Sequence, residues 1–352
     1  MGYFKPMTAS NTLQDRLGRP LRDLRISLVD NCNFRCPYCM PRDLFPEDFP
    51  FLQGRDLLSL EELRVLVDGF RQLGLEKVKL TGGEPLLRPT FVLDLVQALR
   101  HDHPELELDL ITNGWHLKPL VGRLKAAGLD RINISLDSLD EVTFGQLNGK
   151  GHALAPVLEA IEASSAGGFN PVKVNMVVIR GVNDREILDM AEYFRRPGFI
   201  LRFIEFMDVG TMNGWSKEKV VPSREILELL CTRYTLEPLT KSHPGETADR
   251  WAYTGGTTEV GFISSVSQPF CGDCSRARLS ADGKLYTCLF SKTGWDLRKL
   301  LREGARAKDV ADTVRDIWQG RIDQYSALRS GKPGGKPNVK PEDRIEMFYI
   351  GG

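Results

Sequence analysis

The chain has no run of about 18 consecutive apolar residues, so no segment reads as a membrane-spanning helix. It also lacks an excess of either charge: Lys+Arg and Asp+Glu each number 47 in 352 residues, for a formal net charge of zero. That balance removes any general electrostatic case for nucleic acid or an anionic membrane as partner. A polyanionic ligand must therefore be met by local basic residues. The first residues, "MGYFKPMTASNTLQDRLGRP", lack the uninterrupted apolar stretch of a signal peptide, and a cytoplasmic location is the expectation. Cysteines suited to disulfides are missing too, because seven thiols in a reducing compartment do not pair. What is present is ordinary for a globular protein, with 41% hydrophobic and 27% charged residues. The length suits one large domain, alone or with a smaller appendage.

Six short β-rich runs alternate with helical patterns. They are "LRISLV", "KVKLTGG", "LELDLITNG", "INISLDS", "VKVNMVVIRG" and "LRFIEF". The segments between them, such as "SLEELRVLVDGFRQLG" and "DREILDMAEYF", return apolar residues every three or four positions. Serial βα units of this kind predict a parallel sheet with right-handed crossovers, either open or rolled into a complete or partial barrel. In each case ligands meet the C-terminal ends of the strands. The pattern changes after Tyr234: "TTEVGFISSV" and "RARLSADGKLYTCLF" read as strands, the latter turning at Asp282-Gly283. A domain boundary near residue 240 follows, dividing the chain into 1–240 and 241–352. The stretch "SGKPGGKPNVKPEDR" reads as extended and solvated, yet it leads to the apolar end "MFYIGG".

Six cysteines form two tight groups. The seventh, Cys231, falls in an amphipathic pattern and reads as a small buried residue. Cys32, Cys36 and Cys39 follow the first predicted strand as C-x3-C-x2-C, with Tyr38 before the last. A structural zinc ion wants four protein ligands, and this loop offers three. An iron–sulfur cube ligated by three thiolates keeps one iron open to an outside ligand. Cys271, Cys274 and Cys288 make a second set, C-x2-C-x13-C. By itself that set is as compatible with a zinc ribbon short of a ligand as with a cluster.

"CNFRCPYC" matches the signature of the radical S-adenosylmethionine (SAM) superfamily, and "TGGEP" after the second strand is similar to its glycine-rich motif. With both triads, "SRAR" (Ser275 to Arg278) and the terminal Gly-Gly, nearly the whole chain resembles the GTP 3',8-cyclase family, which begins molybdenum-cofactor biosynthesis. One departure lies in "KPNVKPEDR", where that family leads one to expect a histidine after a Lys-Pro pair. The resemblance implies an α/β fold: an incomplete (β/α)6 barrel of the radical SAM type, with a smaller C-terminal domain carrying a second iron–sulfur cluster. It implies a 4Fe-4S cluster with SAM on Cys32, Cys36 and Cys39, and a second 4Fe-4S cluster offered to substrate on Cys271, Cys274 and Cys288. The implied reaction uses a 5'-deoxyadenosyl radical to abstract the ribose 3'-hydrogen of GTP. The resulting carbon radical attacks C8 of guanine, and 3',8-cyclo-7,8-dihydro-GTP forms after reduction. Implied partners are an external one-electron donor and a downstream cyclic pyranopterin monophosphate synthase, with the enzyme a monomer or a homodimer.

Residue by residue, the resemblance places Tyr38, Gly83, Ser135 and Met207 around SAM. Met207 read alone is a gap-filling core residue, and Ser135 read alone caps the following turn. Arg25, Lys79 and Lys173 stand on predicted strands, where a charge turned toward the helices would be costly to bury, so an inward-facing one needs an anion. A salt bridge meets that need as well as a triphosphate does. Thr112 adds a hydroxyl for GTP, and Arg276 and Arg278, two apart on a strand, project to one side. Ala277 between them offers only backbone or shape. Asp137 and Asp140 read as turn formers or helix caps. Arg276 and Arg278 are expected to act in catalysis, as is the tail pair Gly351 and Gly352, which the resemblance brings into the active site. Two other readings remain: a radical SAM peptide-modifying enzyme, which usually carries further cysteines, and a non-catalytic zinc or iron–sulfur scaffold.

Overall fold

The computed structural model describes residues 13–211, 213–243, 245–329 and 344–351. Gly352 and residues 330–343 of the Gly/Pro/Lys-rich stretch, including the site of the expected histidine, lie outside the described residues. The six foreseen strands are β1 (Asp23–Ser27), β2 (Lys77–Thr81), β3 (Glu107–Thr112), β4 (Arg131–Ser135), β5 (Val172–Val178) and β6 (Phe199–Glu205), paired in sequence order and parallel. Between and after them run α1 (Leu60–Arg71), α2 (Pro89–Asp102), α3 (Val121–Ala127), α4 (Glu141–Leu147), α5 (Ala155–Ala166), α6 (Ile187–Phe194) and α7 (Ser223–Cys231). α1 starts at a reciprocal capping box between Ser59 and Glu62, which satisfies backbone donors that a helix start leaves open. Among the described residues, no helix is long and apolar enough to cross a membrane.

Beyond the barrel strands come β7 (Leu236–Leu239), β8 (Asp249–Tyr253), β9 (Glu259–Ile263), β10 (Arg276–Leu279), β11 (Lys284–Tyr286) and β12 (Trp295–Asp296). After these run α8 (Leu297–Arg302), α9 (Ala307–Gln319) and α10 (Tyr325–Arg329). The strands form one twelve-stranded sheet ordered β12-β11-β10-β1-β2-β3-β4-β5-β6-β9-β8-β7. β10 joins β1 in parallel and β9 joins β6 in parallel, so the hairpins extend both flanks of the incomplete barrel.

Alternation along each strand decides which residues reach the interior. In β2 ("KVKLT"), Val78 and Leu80 are fully buried in the main apolar core that the helices share, while Lys77 and Lys79 take the other face. β1 does the same with Leu24 and Ile26 against Asp23 and Arg25, and β5 with Val172 and Val174 against Lys173 and Asn175. Each buried Leu, Val or Ile side chain contributes about 1.5–3 kcal/mol, so the apolar face sets the register and the charges are carried inward. Cys231 ends α7 and is exposed, contrary to the buried role expected of it. Ile226 and Leu230 form the packed face of that helix, and Cys231 falls beside it.

Candidate active site

The loop after β1 carries the first triad. Arg35 pins it from within, donating to the carbonyls of Phe34 at 2.9 Å and Phe45 at 2.7 Å and to that of Cys32. The amides of Cys39 and Met40 both donate to the Cys36 carbonyl, at 2.9 and 2.8 Å. The "TGGEP" loop lies directly against this turn. Gly83 donates its amide to Val29 at 2.7 Å, and a Cβ on Gly83 would run into the Asn31 carbonyl. Only glycine lets the two loops approach so closely.

The second triad is held by residues from distant parts of the chain. Arg19 donates to the Cys271 carbonyl at 2.8 Å, and Arg321 to the Cys274 carbonyl at 2.7 Å. All six thiols are free and partly buried. All six line one cavity of about 330 Å³, together with Tyr38, Gly83, Ser135 and Met207. Among the described residues no group of three or more His, Cys, Asp or Glu makes a site for a single metal ion. Among the described residues each triad brings three soft thiol donors and no fourth ligand, which suits an iron–sulfur cube with one iron left open.

Arg25, Lys79, Arg276 and Arg278 line the same cavity. Their common level follows from strand register, since Arg25 sits opposite Lys79 on β2 and opposite Arg278 on β10. Burial lowers the Arg25 pKa to about 10, with Arg276 adding repulsion. Burial brings Lys79 to about 7 even though Asp109 lies 2.9 Å from its ammonium and pulls the other way. Lys79 thus has the salt bridge that was the alternative to an anion. Among the described residues, Arg25 and Lys173 have no ion-pair or hydrogen-bond partner for their side chains. Lys173 lines a smaller adjoining chamber of about 80 Å³, which Arg25, Lys79, Arg202 and Arg276 also line. There burial, and then Arg202, lower Lys173 to about 8.

The other expected residues fall out unevenly. Ala277 is fully buried in the core, on the opposite face of β10 from Arg276 and Arg278. Thr112 lines the cavity, but its hydroxyl donates to Glu84 at 2.7 Å and accepts from the Gly114 amide at 3.1 Å. Ser135 has no hydrogen-bond partner for its hydroxyl among the described residues, so it does not act as a cap. Met207 both faces the cavity and packs with the Val209, Phe290 and Tyr325 cluster. Asp140 caps α4 as expected, accepting from the Thr143 amide at 2.8 Å. Asp137 does not cap a helix. It is buried at the cavity wall and accepts from the Tyr38 hydroxyl at 2.5 Å and the Val177 amide at 2.8 Å, with burial raising its pKa to about 6.

The tail is anchored against both triads. Phe348 packs with Met40 and Phe51 beside Cys32 and Cys39, and Met347 packs beside Cys288. Arg278 donates to the Gly351 carbonyl at 2.5 Å. Gly351 is buried at φ +67°, and a Cβ there would lie 2.5 Å from Thr81 Cγ2. Gly351 does not itself line the cavity; Met347, Phe348 and Arg278 do.

Sequence reading passed over Glu84, Asn175, Arg202 and Asn113, all of which line the cavity. Glu84 gathers the amides of Leu86 and Asn113 besides Thr112, and burial raises it to about 7. Arg202 and Asn175 were legible in principle, as polar residues on the inward positions of β6 and β5.

A partial parallel barrel with a three-thiol loop at the C-terminal end of its first strand defines a radical SAM protein. The Radical SAM superfamily model matches residues 26–194, and the Molybdenum Cofactor Synthesis C model matches residues 199–327. The GTP 3',8-cyclase of Xanthomonas axonopodis pv. citri is 47% identical over 341 residues, covering 97% of this chain and 99% of that protein. Those of Acidothermus cellulolyticus and Staphylococcus epidermidis are each 42% identical, also over 97% of this chain and 99% of their own lengths. The chain belongs to the GTP 3',8-cyclase family. In fold it is similar to Streptococcus suis SuiB bound to S-adenosylmethionine, with a TM-score of 0.59 at 13% identity over 93% of this chain and 72% of that one.

Proposed function

We infer that this chain is a radical SAM GTP 3',8-cyclase, which converts GTP to 3',8-cyclo-7,8-dihydro-GTP as the first step of molybdenum cofactor biosynthesis. The observation that carries this reading is the single cavity lined by both cysteine triads and by the basic residues of β1, β2 and β10. SAM at an iron–sulfur cluster on Cys32, Cys36 and Cys39, when bound, supplies the 5'-deoxyadenosyl radical that takes the ribose 3'-hydrogen. The residues of the chain orient, shield and neutralise.

Tyr38, Gly83, Ser135 and Met207 form the SAM wall, with Asp137 fixing the Tyr38 ring through its hydroxyl. Arg25, Lys79, Lys173, Arg276 and Arg278 receive the nucleotide, whose triphosphate supplies the anion that buried cations lack. Thr112 acts by holding Glu84, and Ala277 by packing the strand that carries the two arginines. Cys271, Cys274 and Cys288 hold a second 4Fe-4S cluster open toward the substrate. Phe348 and Met347 cover the space between the triads, which keeps water and competing hydrogen donors from the reacting carbon. The resemblance assigns the terminal Gly351 and Gly352 to the site, and the hold of Arg278 on the Gly351 carbonyl supports that reading for Gly351. In this division residues 1–240 supply the first triad, the SAM wall and the nucleotide-binding Arg25, Lys79 and Lys173, and 241–352 supply the second triad, Arg276, Arg278 and the tail. The electron comes from an external one-electron donor, and the product passes to a cyclic pyranopterin monophosphate synthase in the cytoplasm.

The test is anaerobic incubation of the reduced, reconstituted enzyme with GTP and SAM, followed by identification of products. Formation of 3',8-cyclo-7,8-dihydro-GTP supports the reading. A Cys32→Ala, Cys36→Ala, Cys39→Ala variant should make no 5'-deoxyadenosine while keeping about half the iron. Normal 5'-deoxyadenosine from that variant would sink the assignment of the first triad.

A further inference from the structure

Of the six triad thiols, Cys274 is the one that receives guanidinium groups among the described hydrogen bonds. Arg276 Nη2 lies 3.5 Å from its sulfur and Arg321 Nη2 lies 3.3 Å away. Arg276 faces the cavity, where substrate claims it. Arg321 does not line the cavity: it follows α9, is only 4% exposed, and approaches the triad from behind.

Arg321 belongs to a buried ionic cluster. Asp15 accepts from it at 3.4 Å and pairs with Arg19 at 2.6 Å. Arg19 donates to the carbonyls of Cys271 at 2.8 Å and Asp323 at 2.7 Å. The Asp323 carboxylate is 3.6 Å from Arg321 and accepts from Thr287, the neighbour of Cys288, at 2.6 Å. Trp318 lies beneath the Arg321 guanidinium at 4.4 Å and donates to the Arg19 carbonyl at 3.0 Å. Arg321 Nε and Arg19 Nη2 are buried with no hydrogen-bond partner. Holding the Cys274 carbonyl needs one neutral donor. A buried guanidinium with an unsatisfied nitrogen is a costly way to supply it, unless the charge itself matters.

A cation within hydrogen-bond reach of a ligand sulfur stabilises the more negative, reduced state and so raises the reduction potential. Among the described hydrogen bonds no guanidinium donates to a sulfur of the first triad: the Cys32 sulfur meets the Phe34 amide and the side chains of Asn33 and Asn113, and Arg35 spends its donors on the carbonyls of Cys32, Phe34 and Phe45. We propose that Arg321, held in place through Asp15, is a positioning residue that raises the reduction potential of the cluster on the second triad, making it the easier of the two to reduce. This rests on the reading above that Cys271, Cys274 and Cys288 hold a cluster.

The experiment is an anaerobic, EPR-monitored dithionite titration of full-length enzyme with the first triad changed to alanine, so that only the second cluster signals. Adding Arg321→Gln, which can still donate to the Cys274 carbonyl, should move the one-electron midpoint to more negative potential by about tenfold in electron affinity, ~59 mV. Arg321→Lys should restore most of the shift. Asp15→Asn, which removes the opposing carboxylate, should move the midpoint the other way, and it carries the test if Arg321→Gln does not fold. Full iron with an unchanged midpoint in either charge variant overturns the proposal and leaves the cluster assignment standing. Absence of iron from the second triad in the parent protein overturns both.

Discussion

Lys79 and Lys173 are held with too few opposing charges for their burial. Their pKa values fall to about 7 and about 8, with burial the main cause and one carboxylate, Asp109, pulling back. A bound triphosphate favours the protonated ammonium, so affinity for GTP should fall as pH rises through 7 to 8. We expect roughly tenfold weaker binding at pH 8.5 than at 6.5, and a flatter profile in Lys79→Arg, which keeps its charge throughout. Calorimetry on the Cys32→Ala enzyme, which binds without turnover, measures both. The same profile in wild type and variant would remove Lys79 from the phosphate site. Arg276→Ala removes a charge-assisted contact from a partly desolvated site and should cost ~2–5 kcal/mol of GTP binding while uncoupled SAM cleavage survives. Unchanged GTP affinity would leave Arg276 with its other neighbours, the Cys274 sulfur and the Phe270 ring.

At the scale of elements, the tail makes a claim that can be checked by truncation. Termini are usually the easiest part of a chain to remove, but this one is packed against both triads and its last described carbonyl is held by Arg278. Deleting Gly351 and Gly352 should leave folding, iron content and SAM binding intact and abolish cyclised product. Gly351→Ala should displace the tail, because a side chain at φ +67° is strained and would press on Thr81. Limited proteolysis near Phe348 reads that release, and a tail still protected in Gly351→Ala would contradict the docking. The barrel strands and the tail's apolar anchor were legible because period-2 and period-3.6 patterns are local. β8 ("DRWAY") was not, since its alternation is hidden by polar residues, and β7 ("LEPL") carries a proline that argues against a strand. Nor does any local pattern announce that β10 will pair with β1, more than 240 residues away.

For the whole molecule, the sheet explains why two cysteine triads so far apart in sequence share one cavity. The first follows β1, the second brackets β10 and β11, and β10 lies beside β1. The two motifs were readable as ligand sets, because close spacing of like donors survives in one dimension. Arg321, Asp15 and Asp137 were not, because each acts through a neighbour brought near only by the fold. The most direct measurement of the central claim uses GTP carrying deuterium at the ribose 3' position, with SAM and a strong reductant under strict anaerobiosis. The account predicts deuterium in the 5'-deoxyadenosine formed, together with cyclised nucleotide. Unlabelled 5'-deoxyadenosine, or GTP recovered unchanged while SAM is consumed, would contradict it.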